Sequence, residues 1–146
     1  MSEFRLLSVV HVIMIRNQQL LLLRRFNTGH DDGYYALPAG RLERGEGVMA
    51  AAIREVQEEC GALIAPGDLE MTGVMHIKTS HDERVDFFFI AKQWSGEISN
   101  AEPHKCDDLR WFPLDRLPAN LLPVAGQALD QYRQGVWFSE HGWNQQ

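Results

Sequence analysis

Two apolar runs open the chain, Phe4 to Ile15 and Leu20 to Leu23, parted by the polar Asn17-Gln18-Gln19. Runs rich in Val, Ile and Leu around a short polar turn predict paired β-strands, and their unbroken apolarity predicts burial on both faces. Asn27 to Gly33 is almost wholly turn-forming, which predicts a loop. Tyr34 to Gly40 reads as a short strand broken by Pro38 and Gly40. Gly47 to Cys60 lacks proline and is rich in Ala, Glu, Arg and Met, so it predicts a helix of about four turns, stopped by Gly61. Met71 to His76 and Val85 to Trp94 predict two more strands around the charged turn Thr79 to Arg84. A short strand at Leu109 to Phe112 and a helix from Leu121 to Gln134 complete an α+β order, an α/β/α sandwich with a mixed central sheet.

Length and composition narrow this picture without changing it. The 146 residues, 45% hydrophobic and 23% charged, suit one globular domain over 1–146. The formal charge of −6 and a pI near 5.4 argue against duplex nucleic acid or an anionic membrane as partner. The apolar stretches are too short to span a bilayer. Met1 to Arg5 carries no secretory signal, so a cytoplasmic location is expected. Cys60 and Cys106 form no CxxC pair, and the six histidines show no HxH or HExxH spacing, so neither a disulfide nor a zinc site is expected.

The Gly47–Cys60 helix carries the candidate chemistry. At about 100° per residue, Glu55, Glu58 and Glu59 fall within an arc of roughly 100°. Val48, Ala52, Val56, Met49, Ile53 and Cys60 occupy the adjoining arc, so the carboxylates border the core. Like charges at i,i+3 and i,i+4 cost roughly 0.2–0.5 kcal/mol per pair. Partial burial and the negative end of the helix dipole add to this. A divalent cation reverses the sign of each penalty, and carboxylate oxygens are preferred Mg²⁺ ligands. The alternative is a solvated acidic face balanced by Arg54 and Arg44.

The whole segment from Gly40 to Ala62 resembles the Nudix box: Gly, five residues, Glu, seven residues, Arg-Glu, an aliphatic, any residue, Glu-Glu, any residue, Gly and an aliphatic. Gly40, Glu46, Arg54, Glu55, Glu58, Glu59 and Gly61 match all seven fixed positions. Chance would produce this on the order of once in a million such chains. The departure is Ala62, where a bulkier aliphatic is usual. Leu37-Pro38-Ala39-Gly40 and Leu109 to Leu114 with Leu117-Pro118 are similar to further parts of the family. Gly40 and Gly45 suit a tight loop, and Gly61 a left-handed helix exit. Glu46, beside the helix N-terminus, is placed to hold Arg54 and so orient the other glutamates.

The resemblance implies hydrolysis of a nucleoside diphosphate linked to a further group, by water attacking a phosphorus of the pyrophosphate. Glu55, Glu58 and Glu59 would hold Mg²⁺, with Mn²⁺ as a substitute, and Glu58, Glu59, Glu102, Arg54 and Glu46 form the candidate catalytic set. Which carboxylate serves as base is open: Glu102 lies in a polar loop before the Trp111 strand, with Asp107, Asp108 and Glu83 as rivals. Gly40, Arg41, Arg25 and Lys105 are the candidate substrate-binding residues, with Arg24 as a further phosphate contact. Tyr34, Tyr35, Phe26 and Trp111 offer stacking surfaces. The expected partner is a small nucleotide, and the expected assembly a monomer or homodimer. The aromatic segment Gly135 to Trp143 either covers the core or meets a second subunit.

A nucleoside triphosphate giving monophosphate and pyrophosphate is the favoured substrate. The short segment before the first strand argues against a sugar-nucleotide pyrophosphatase, such as one for ADP-ribose, which often carries an extra N-terminal dimerisation segment. Retention of every box glutamate argues against a silent ligand-sensing module. Isoprenoid diphosphate isomerisation would need a reactive cysteine, for which Cys106 is the candidate.

Overall fold

The computed structural model describes residues 2–143. β1 (Leu7–Arg16) turns into β2 (Gln19–Arg25) through Asn17 and Gln18, both at positive φ, a turn whose twist suits a two-residue hairpin. β3 (Tyr35–Ala36) and β4 (Ala39–Arg41) follow, then α1 (Val48–Cys60), a 3-10 turn at Pro66–Asp68, β5 (Leu69–Lys78), β6 (Glu83–Ala91), β7 (Cys106–Pro113), α2 (Pro123–Gln134) and β8 (Phe138–His141). The eight strands form one mixed sheet in the order β3-β2-β1-β6-β5-β8, with β4 on β1 and β7 on β2. Among the described residues, no helix is long and apolar enough to cross a membrane.

Burial on both faces follows from strict alternation. Val10, Val12 and Met14 of β1, Leu21 and Leu23 of β2, and Phe89 and Ala91 of β6 pack with Ala51, Ala52, Val56 and Cys60 of α1. Ile13, Leu20, Leu22 and Phe88 pack with Ala125, Ala128 and Leu129 of α2. Small alanines on both helices allow close approach to the sheet. Ala62 is fully buried in the α1 layer, so the box departure falls at a packing position.

The expected broken strand at 34–40 is two strands that part company. Tyr35 and Ala36 join β2, whereas Ala39 to Arg41 join β1, at Val9↔Arg41, Val10↔Gly40 and His11↔Ala39. β1 and β2 pair directly only at the hairpin end, Ile15↔Leu20 and Arg16↔Gln19, and then diverge. The first strand begins at Leu7, not Phe4, which is 73% exposed. The C-terminal segment forms an unexpected strand: β8 runs parallel to β5, and the Trp143 indole N–H donates to the His76 carbonyl. Trp137 stays exposed beside it.

Candidate active site

α1 starts at Gly47 without a side-chain cap, and Gly61 ends it at φ 78°, in the left-handed region where a side chain is strained. Val56 and Cys60 anchor the helix in the core, which sets Glu55 and Glu59 along its border with β4. Arg54 is the hub of the acidic side. Its Nε and Nη2 donate to Glu46 Oε2 and Oε1 at 2.6 and 2.9 Å, a two-point fork. Its Nη1 donates to Glu55 Oε1 at 2.8 Å and to Glu58 at 3.2 Å, and its Nη2 also reaches the Arg41 carbonyl at 3.2 Å. The hydrogen bonds from Arg54 hold the Glu46 carboxyl below its usual range, and those accepted by the glutamates push the guanidinium up.

The three helix glutamates differ in environment. Glu58 is about half exposed, and Arg54 offsets its charge. Glu55 is largely covered and lies against Gly40: a Cβ there would stand 2.0 Å from the Glu55 carboxyl carbon. Gly40 is thus required for space inside β4, not for the loop turn expected of it; Gly45, at φ 79°, makes that turn. Glu59 turns its carboxylate inward and accepts the Ala39 N–H at 3.0 Å. Burial pushes its carboxyl well above the usual range, and the charges of Glu55 and Glu102 push the same way. Burial likewise raises Glu55, against the pull of Arg54.

The loop that carries Glu102 closes the end of α1. Ser99 N–H donates to the Cys60 carbonyl and Ala101 N–H to the Glu59 carbonyl, filling acceptors that a helix end leaves open. Asn100 shapes the turn: its Nδ2 donates to the Cys106 carbonyl, and its Oδ1 accepts the Glu102 N–H. Neither Asn100 nor the Ala39 N–H was among the sequence candidates. A turn-favouring Asn two residues before Glu102 was the available sign of the first; a backbone donor leaves none.

The other candidates separate. The rival Asp107 accepts from Arg24 Nε at 2.7 Å. Asp108 accepts from the Tyr35 hydroxyl and from Arg110, which hold its carboxyl low against its burial. Arg25 turns into the 27–33 loop, donating from Nε to the His30 carbonyl and from Nη2 to Thr28 Oγ1, so the structure does not bring it to the glutamates. Arg41 is exposed on β4, beside Gly40. Lys105 donates its backbone N–H to the Glu102 carbonyl, at the base of the same loop. Phe26 and Tyr34 are each 44% exposed, whereas Tyr35 is core. Glu83 lies on β6, in the turn with Lys78. Cys106 is buried and its thiol pushed up by that burial, a poor state for a nucleophile.

Among the described residues, no three carboxylate or imidazole groups converge as a ready-made metal cage. The donor chemistry nevertheless fits a divalent cation: Glu55 and Glu59 are carboxylates whose burial and mutual repulsion a cation relieves, and Gly40 leaves room for Glu55.

A four-turn helix with Arg-Glu and Glu-Glu on one side, packed under a mixed sheet and tied back to Glu46, defines a Nudix domain. The NUDIX domain family model matches residues 5–132, and the chain belongs to the Nudix family of hydrolases. Among its relatives, the NAD-capped RNA hydrolase NudC of Pseudomonas aeruginosa is 35% identical over 114 residues, 78% of this chain but 38% of the relative. The chain thus spans well under half of that protein. The 8-oxo-dGTP diphosphatase of Escherichia coli K12 is 26% identical over 84% of this chain and 92% of its own. The structure of the MutT NUDIX hydrolase from Burkholderia pseudomallei matches with a TM-score of 0.81 at 28% identity, covering 88% of this chain and 98% of that one. Nudix hydrolases generally need a divalent metal.

Proposed function

We propose that this chain hydrolyses nucleoside triphosphates to a nucleoside monophosphate and pyrophosphate, using Mg²⁺, for which Mn²⁺ can substitute. The observation that carries this is the Arg54 hub. One guanidinium bonds Glu46, Glu55 and Glu58 at once, so the box residues act as a single preorganised carboxylate array and not as a solvated face. Glu55, Glu58 and Glu59 would hold the metal, which supplies positive charge to offset the pyrophosphate oxygens when bound. Glu46 and Arg54 position this array. Glu102, on the loop that closes the end of α1 and with a charge that raises both Glu55 and Glu59, would take the proton from the attacking water. The new P–O bond forms as the bridging P–O bond breaks, and the electron pair leaves on pyrophosphate. Arg41, beside Gly40, and Lys105, at the base of the Glu102 loop, would meet the phosphates.

The E. coli relative, named for an oxidised nucleoside triphosphate and similar along nearly its whole length, supports this substrate class over sugar nucleotides. The name of the Pseudomonas relative supports testing NAD-type dinucleotides as well. The test is product analysis by mass with Mg²⁺ and a panel of ordinary and oxidised nucleoside triphosphates, sugar nucleotides and dinucleotides. Monophosphate plus pyrophosphate supports the reading. A sugar phosphate as product, or no turnover of any triphosphate while a dinucleotide is cleaved, overturns it.

A further inference from the structure

Asp86 lies on β6 with no exposed surface, on the sheet face turned away from α1. It accepts from Arg84 Nε at 3.2 Å and Nη2 at 3.0 Å, and its Oδ2 is 2.7 Å from His11 Nε2. Burying a carboxylate in a largely apolar layer is costly unless it is paired. Arg84 already supplies the counter-charge, so His11 is not needed for neutrality. What Asp86 does is set the ring: a carboxylate only accepts, so Nε2 carries the hydrogen, and whenever the ring is neutral Nδ1 is left as an acceptor. Phe88 holds the ring flat, with centroids 4.3 Å apart and planes 13° from parallel. Nδ1 has no hydrogen-bond partner among the described residues, and the side chain keeps 11% of its surface exposed.

The register sets the His11 backbone beside the residues that hold the glutamates, with its ring on the opposite face of the sheet. His11 pairs with Ala39, whose N–H holds Glu59, and Val10 pairs with Gly40, against which Glu55 lies. His11 is thus one strand spacing, about 4.8 Å, from the backbone that both carboxylates touch. Arg41 shares the His11 face by alternation. The layer that Phe88 shares with Leu37 and Tyr35 is flat or apolar. A fixed acceptor beside such surfaces does not suit phosphate, whose oxygens only accept. It suits a planar heterocycle with an N–H edge.

Resting on the reading of the site as a nucleotide hydrolase, we propose that His11, set by Asp86 and Arg84, reads the nucleobase: Nδ1 accepts a hydrogen bond from a base N–H. Two probe pairs test this, dGTP against 8-oxo-dGTP and dITP against dATP, which exchange acceptor for donor at position 7 and at position 6. The wild-type kcat/KM favours the donor-bearing member of at least one pair by about tenfold or more. His11→Phe keeps the flat contact with Phe88 and brings that ratio to about one, mainly through KM. His11→Asn, whose side-chain oxygen can stand near the Nδ1 position, restores part of it. An unchanged ratio in a His11→Phe protein with a native melting curve overturns the proposal, as does a wild-type enzyme indifferent to both pairs. Titration of the metal-free protein with the corresponding monophosphates, read by ¹⁵N resonances of the His11 ring, does not require turnover. A shift of Nδ1 with the donor-bearing base alone supports the proposal even if no triphosphate is hydrolysed, and no shift with any base counts against it.

Discussion

Two carboxylates stand inside this protein on opposite faces of one sheet, and they are treated in opposite ways. Asp86 has no exposed surface, yet Arg84 and His11 give each of its oxygens a donor. Glu59 receives one backbone N–H, from Ala39, and faces the charges of Glu55 and Glu102. A satisfied buried charge costs little further once folded; an under-compensated one stores unfavourable energy that a bound cation can release. The difference separates a side of the molecule that is complete as folded from one that is completed by binding.

The largest expected effect comes from removing the deficit. Glu59→Gln keeps the acceptor for Ala39 but loses the charge, so hydrolysis falls by about a hundredfold or more. Burial favours the protonated Glu59, so this group costs no stability below the usual carboxylate range and costs progressively more as pH rises through its raised value. In chelator, the melting temperature of the variant relative to wild type is therefore higher at about pH 8 than at about pH 4. A constant difference across that range would place Glu59 with Asp86 as a satisfied group.

Next in size is Gly40→Ala. Its Cβ would fall on the Glu55 carboxyl, so the side chain must move, and Mn²⁺ affinity measured by electron paramagnetic resonance drops by about tenfold to a hundredfold. Glu46→Gln removes one charge from the Arg54 fork, and about a tenfold loss of metal affinity is expected with little change in fold, checked by calorimetry and circular dichroism. The response to metal itself is read separately, on stability. Mg²⁺ at a hundred times its dissociation constant adds about 2.7 kcal/mol to wild-type stability, read as a rise in melting temperature. Glu59→Gln should show a smaller rise, which sharpens the contrast if the Asp86→Asn rise equals that of wild type.

Much of this was legible in the chain. Unbroken apolarity in Val10 to Met14 and Leu20 to Leu23 pointed to two buried faces, spacing put Glu55, Glu58 and Glu59 on one side of α1, and the place of Glu46 beside the helix N-terminus pointed to Arg54. What was hidden depends on partners distant in sequence. Gly40 looks like a turn residue until Glu55, fifteen positions later, is seen to fill its missing side chain. β8 carries no alternating pattern, and its parallel partner β5 lies some sixty residues earlier. The polar start of β7, Cys106 to Asp108, pairs because Arg24 and Arg25 opposite it supply contacts that no local pattern encodes.

The pairing of β1 with β6 also governs how the chain assembles. Leu7 to Met14 lie parallel to Arg84 to Ala91, so the first strand made must wait for more than half of the chain before its central neighbour exists. Non-local, parallel pairing of this kind slows folding, because a long loop must close before any contact rewards it. During synthesis the β1–β2 hairpin therefore emerges with a long apolar edge uncovered, the condition under which a nascent chain calls on chaperones.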